Sequence, residues 1–269
     1  MDRTPDTRPT ALFVSPHLDD VAFSCGGTVA AMRREGYRVA VATVFTASVP
    51  GPTGFALGCQ LDKGLGPEVD YMALRRGEDT AFGRSVEADE LEWLGLPEAP
   101  HRGYHSAAEL FAGVRPGDGI DLEVARALDV LIGRLRPRLI FVAQGVGGHA
   151  DHRQVVRAVL RRPELASRVA WYRDLPYAEK YPGAVADPDL PGGLVEISVA
   201  LRDADLEAKL DGCACYRTQI PFQFGGETSM RGRLATFAAA EGGRLGIPGP
   251  VETFLAPAAV LLGTPRRAD

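Results

Sequence analysis

Short apolar runs alternate with amphipathic stretches along most of the chain. The run ALFVS at 11–15 is apolar almost throughout, the form of a parallel strand buried on both faces. GGTVAAMRREG at 26–36 reads as a helix closed by Gly36, and RVAVATVF at 38–45 as a second, β-branched strand. Strand, helix and strand within about 35 residues make a βαβ unit. Further helices are expected over 72–88, with Gly77 and Gly83 as weak points, over 121–137, stopped by Pro137, and over 152–162 and 204–219. Further strands are expected over 91–96, 138–145, 169–175 and 195–201. This alternation predicts an α/β fold, a Rossmann-like three-layer sandwich with a mostly parallel sheet. No repeat or linker divides the chain, so 11–269 reads as one domain behind a loose tail at 1–10. The Gly/Pro-rich stretch 46–71 is too long for a plain connection. With 176–193 and 218–232 it is expected to rim a site or to form oligomer contacts.

Open α/β sheets bind ligands at the carboxyl ends of their strands. FVSPHLDDVAFSCGG at 13–27 puts His17, Asp19 and Asp20 just past the first strand. QGVGGHADH at 144–152 puts His149 and His152 three apart at a helix start, at the same edge. Two strand ends thus deliver His17, Asp20, His149 and His152 to one crevice, with Asp19 and Asp151 beside them. An aspartate pair in a loop is also an ordinary turn former or cap. However, the chain has only five histidines, and three fall in these two segments. Imidazole with carboxylate is the donor set of a catalytic Zn²⁺, with Fe²⁺ or Co²⁺ as alternatives. A cation would also relieve the repulsion among the acids. SCGG at a helix start could cradle a phosphate, but no G-x-G-x-x-G or G-K-[ST] is present and acids crowd the approach. Gly26 and Gly27 are better read as letting the helix pack closely behind the site.

Composition narrows the partners. The chain has 269 residues, 45% hydrophobic and 24% charged, with a net charge of −5, which argues against a nucleic-acid partner. No apolar stretch is long enough to span a membrane, and MDRTPDTRPT lacks the apolar core of a signal peptide. Four cysteines without a C-x-x-C pair read as free thiols in a reducing cytoplasm.

PHLDD at 16–20 followed by GGHADH at 147–152 resembles the PIG-L/LmbE family of zinc-dependent N-deacetylases, with Leu18 where proline is usual. RRGED at 75–79, KLDGCACYRTQ at 209–219 and VETF at 251–254 are similar to that family's R-x-x-E, K…Y-x-S-Q and E-x-F segments. The resemblance implies His17, Asp20 and His152 as metal ligands and Asp19 as general base. It implies His149 as a second catalytic group, oriented by Asp151, and Arg75 as a substrate contact, with Arg76 the competing register. Some relatives carry a tyrosine where this chain has Gly147, so that role either falls to Tyr104 or Tyr177 or is absent. Trp171 and Phe222 are candidates to stack on sugar faces. The implied activity is metal-dependent removal of an N-acetyl or other N-acyl group from an amino sugar, such as an N-acetylglucosaminyl conjugate, in specialised biosynthesis. An amidase for a thiol conjugate is the second reading, and a metal-containing binding domain without turnover the third. The expected partner is a small molecule, and a homo-oligomer is compatible with each reading.

Overall fold

The run at 11–15 becomes β1 (Thr10–Ser15), six buried residues in the interior of a seven-stranded sheet. This computed structural model describes residues 6–260. After β1 come α1 (Asp20–Arg34), β2 (Arg38–Phe45), α2 (Gly54–Leu61), α3 (Tyr71–Ser85) and β3 (Glu90–Leu96). Next are α4 (Ala107–Phe111), α5 (Asp121–Leu135), β4 (Leu139–Ala143), α6 (Ala150–Leu160), β5 (Val169–Tyr172) and α7 (Tyr177–Lys180). The chain continues through β6 (Val195–Ala200), α8 (Asp203–Cys213), α9 (Ile220–Phe224), α10 (Glu227–Leu245) and β7 (Val251–Ala256). Strand order is β3-β2-β1-β4-β5-β7-β6. The first five are parallel, and β7 runs antiparallel to both β5 and β6. The mostly parallel α/β sandwich expected from the sequence is therefore the fold.

Period-two alternation sends β1 into two cores. Ala11 and Phe13 join Phe23, Phe82, Phe141 and Tyr216 on one face. Leu12 and Val14 join Val124, Leu128 and Val155 on the other, under α5 and α6. Phe13 and Phe141 stack across β1 and β4 with ring centroids 4.4 Å apart. Burial of each such ring stabilises the fold by roughly 1.5–3 kcal/mol.

Several expectations are corrected. The first helix starts at Asp20, not at 26, and bends at Cys25, whose φ/ψ of −142/25 is not helical. Gly36 does follow its end in a left-handed conformation, φ +83. Gly77 and Gly83 do not interrupt α3, and a Cβ on Gly83 would lie 2.4 Å from Leu91 Cδ1, so this glycine admits β3. The helix expected to 219 stops at Cys213. The segment 218–232, read as a loop, holds α9 and the start of the 19-residue α10. Only a narrow stripe of α10 is buried, at Met230, Leu234, Ala238, Glu241 and Gly242, so its periodicity is faint. VETF becomes β7, inserted between β5 and β6. The tail assigned to 1–10 is tied down from Arg8, which meets Asp89 at 2.6 Å, while Thr10 already pairs in β1. Residues 1–5 of that tail lie outside the described residues. Among the described residues, no helix is long and apolar enough to cross a membrane.

Candidate active site

The carboxyl ends of β1, β4 and β5 open into one cavity of about 220 Å³. The turn after β1 is fastened locally. Ser15 Oγ donates to the His17 carbonyl at 2.5 Å and accepts from Val21 N at 3.2 Å. The backbone N–H of His17 donates to Asp20 Oδ2 at 2.7 Å. After β4, Gly145, Gly147 and Gly148 all have φ near +80 (73, 87 and 76), a conformation that costs other L-residues about 1–2 kcal/mol. This tight turn leaves His149 as the N-cap of α6, its Nδ1 accepting from Asp151 N at 3.2 Å.

The structure brings His17, Asp19, Asp20, His149, Asp151 and His152 together. Donor atoms of His17, Asp20 and His152 lie within 4.8 Å of one another, and so do those of His17, His149 and Asp151. In the first group Asp20 Oδ2 is 3.4 Å from His17 Nδ1 and 3.3 Å from His152 Nε2. His152 is fully buried, and its Nε2 has no hydrogen-bond partner. Both remote ring nitrogens are anchored: His17 Nε2 to Asp151 Oδ2 at 2.9 Å, and His152 Nδ1 to Asp174 Oδ1 at 2.5 Å. A carboxylate behind each imidazole is the usual outer partner of a metal-ligating histidine. In the second group, by contrast, the His17 and Asp151 atoms are already bonded to each other. The first group is the one that fits a divalent cation.

Asp151 was expected to orient His149. Its carboxylate instead holds His17, accepts from Ala99 N at 3.1 Å, and lies 2.7 Å from Arg102. Its hydrogen bond to His149 comes from the backbone N–H. Asp174, Arg102 and Glu98 were missed by the sequence reading. The signal for Asp174 was present in WYRDL, where an acid follows a buried strand at the ligand-binding edge.

Arg75, rather than Arg76, reaches the site. It is 5% exposed, donates to Glu98 Oε1 at 2.7 Å and to the Leu18 carbonyl at 3.2 Å, and approaches Asp19 Oδ1 at 3.6 Å. Arg76 turns away to the Thr46 carbonyl and Ser48. Tyr177 lines the cavity, its ring 5.6 Å from that of His152. A Cβ on Gly147 would come within 3.1 Å of Tyr177, so the tyrosine occupies the space beside that glycine. Tyr104 does not line the cavity, and its hydroxyl donates to Asp118. Trp171 is a core residue, 3% exposed, whereas Phe222 is 56% exposed at the cavity mouth. All three segments expected to rim a site contribute to the lining: Phe55 and Lys63, Pro176 and Tyr177, Gln219 and Phe222. Phe111 from α4 completes the wall, its ring 5.3 Å from that of His149. Ser106 caps α4 by accepting from Glu109 N, and that S-x-x-E spacing could have found the helix.

Protein charges and burial tune the acids and bases in different directions. Burial raises the Asp19 carboxyl to about 7, with Arg75 opposing. Burial would raise Asp20 too, but the charges of His152 and His17 and the His17 bonds pull it to about 2. Burial and then the charge of His17 hold His149 down to about 3. His17 and His152 rise despite burial, because Asp151, Asp20 and Asp174 surround them. The buried acids thus call for positive charge at this point, which a cation would supply while leaving both imidazoles neutral.

The chain matches the family described as PIG-L: GlcNAc-PI de-N-acetylase over residues 12–162. It is 30% identical over 242 residues to the 2'-N-acetylparomamine deacetylase of Streptomyces fradiae, spanning 89% of this chain and 84% of that one. It is 29% identical over 188 residues to the 2'-N-acetylparomamine deacetylase of Niallia circulans, spanning 63% and 68%. Its fold is similar to the zinc inhibited form of teicoplanin deacetylase Orf2, with TM-score 0.78, 25% identity and coverage of 91% and 97%.

Proposed function

The chain belongs to the PIG-L family of GlcNAc-PI de-N-acetylases, and from that premise we propose that it removes the N-acetyl group of a small amino sugar conjugate in specialised biosynthesis. The observation that carries this reading is the convergence of His17 Nδ1, Asp20 Oδ2 and the unpartnered His152 Nε2 on one point, with Asp19 beside it. Two deacetylases acting on an N-acetylated amino sugar stand among its relatives. In this proposal His17, Asp20 and His152 hold Zn²⁺, with Fe²⁺ and Co²⁺ as metals to be compared. The protein works as one domain that includes the end of the tail from Arg8, in the cytoplasm.

His17, Asp20 and His152 would hold the zinc ion, whose chemistry there would be to make water acidic enough to attack an amide near neutral pH. Asp19 takes the proton from the attacking water. Its carboxyl, held near neutrality by burial, is matched to that task and to returning the proton to the departing amine. Arg75 fixes the Asp19 carboxylate from one side. His149 is neutral, since its pKa is depressed, and its Nδ1 accepts from the backbone, so its proton sits on Nε2. It serves as a neutral hydrogen-bond donor to the oxyanion rather than as an imidazolium. Phe111 and Phe222 offer apolar ring faces to the sugar.

The test is release of free amine from 2'-N-acetylparomamine and from simple N-acetylglucosaminides, with and without chelator. Turnover that chelation abolishes and Zn²⁺ restores is expected. Failure of the metal-loaded protein to free an amine from any N-acetylated amino sugar would sink the proposal.

A further inference from the structure

The bend at Cys25 leaves backbone groups of α1 without their helical partners. In a continuous helix Thr28 N would donate to the Ser24 carbonyl. Here a buried ion pair is inserted into that bond. Thr28 N donates to Glu252 Oε2 at 2.6 Å, as does Thr28 Oγ1 at 2.6 Å, and Gly27 N donates to Glu252 Oε1 at 3.1 Å. Lys209 Nζ donates to Glu252 Oε1 at 2.6 Å and lies 3.4 Å from the Ser24 carbonyl. Lys209 is 1% and Glu252 5% exposed. Gly26 and Gly27 make room for this. A Cβ on Gly26 would lie 3.3 Å from Lys209 Cγ, and one on Gly27 would lie 2.5 Å from Leu201 Cδ1 and 3.2 Å from Glu252 Oε1. The glycine pair therefore serves close packing, not a phosphate.

The short segment between the bend and the β1 turn, 20–24, begins with Asp20 and ends with Ser24. Ser24 Oγ accepts from Leu175 N at 3.0 Å, which fixes the chain next to Asp174, the acid behind His152. The bend thus ends the segment that begins with Asp20, and Ser24 beside it is bonded next to the support of His152. Lys209 comes from α8 and Glu252 from β7, both beyond the residues 12–162 that carry the family match.

We infer that the Lys209–Glu252 pair is a positioning brace. By replacing the Ser24–Thr28 helical bond, it holds the bend of α1 and aims Asp20 at the point shared with His17 and His152. This rests on the ligand reading of Asp20 given above. Neither residue touches substrate or reacting atoms in this scheme; both act through Asp20.

The test measures Zn²⁺ affinity by chelator competition, together with kcat, KM and thermal stability. Glu252→Gln and Lys209→Met are expected to bind Zn²⁺ roughly 10- to 100-fold more weakly, as loss of outer supports does, and to lose kcat with little change in KM. Thr28→Val, which deletes one bond to Glu252, should shift affinity the same way by a smaller factor. Val124→Ala, in the opposite core, supplies a destabilised control expected to keep wild-type Zn²⁺ affinity. If Glu252→Gln and Lys209→Met behave like that control, the brace is overturned. Should both fail to fold, wild-type affinity in Thr28→Val overturns it alone. Asp20→Asn separates the two layers. Undiminished Zn²⁺ binding there removes the ligand reading itself, whereas lost binding there with intact binding in the brace variants removes only the brace.

Discussion

Two adjacent aspartates, Asp19 and Asp20, end with opposite properties because their surroundings differ. Asp20 faces two imidazoles and is held at about 2, while Asp19 is pushed by burial to about 7, with Arg75 and, less strongly, His17 opposing the rise. Asp19→Asn is therefore expected to retain metal by elemental analysis while kcat falls about 10²- to 10⁴-fold, the usual contribution of a general base. The Arg75 charge lowers the Asp19 pKa, so its removal must raise it. Because the base form of Asp19 is the active one, Arg75→Met should move the acid limb of the kcat/KM profile to higher pH. An unmoved limb would separate Arg75 from Asp19. Asp174→Asn tests the support of His152, with Zn²⁺ affinity expected to fall roughly 10- to 100-fold by chelator competition.

At the scale of elements, the site is made by turns that leave buried strands at one edge. The three left-handed glycines after β4 let α6 begin directly behind His149. α5 ends differently. Arg136 adopts the left-handed conformation there, φ 46 and ψ 54, and caps the helix through its N–H to the Ile132 carbonyl. Glycine takes this conformation without the Cβ penalty, although it adds unfolded-state entropy. Arg136→Gly should raise stability by about 0.5–1 kcal/mol in urea denaturation, with activity unchanged. Pro137 marked the end of this helix in the sequence, but the residue that turns the chain is Arg136. α9 and α10 were not legible for a related reason. Their buried positions are few and spaced among glycines and polar residues, so the face that packs is visible only against its neighbour.

For the whole molecule, the seven strands and the two main cores found among the described residues form a frame whose burial does not depend on the site. A metal that binds the folded state alone still stabilises it by mass action, by about 4 kcal/mol when its concentration is 1,000 times its dissociation constant. Thermal scans should show the melting temperature rising with Zn²⁺ and falling back with chelator, and Asp20→Asn should remove the response. The far-ultraviolet circular dichroism should be the same with and without chelator, since α1 and α6, although they begin at site residues, are held by their own backbone bonds and by the cores they bury against. A chelated protein that loses its secondary structure would show that frame and site are not separable in this way.

The sequence by itself determined the alternation of elements, the parallel centre of the sheet, and the two segments that meet at its edge. These are local facts: apolar runs dictate buried strands, and His17, Asp19, Asp20, His149 and His152 lie next to strand ends whatever surrounds them. Only the tertiary structure decided which partner each group has. It gave the Asp151 carboxylate to His17 rather than to His149, placed Asp174 behind His152, chose Arg75 over Arg76, and buried Trp171. It also carried Glu252 and Lys209 from the far end of the chain into the bend of α1. Hydrogen bonds and burial depend on distance in space, and separations of 134 residues, as between His17 and Asp151, leave no trace in local pattern.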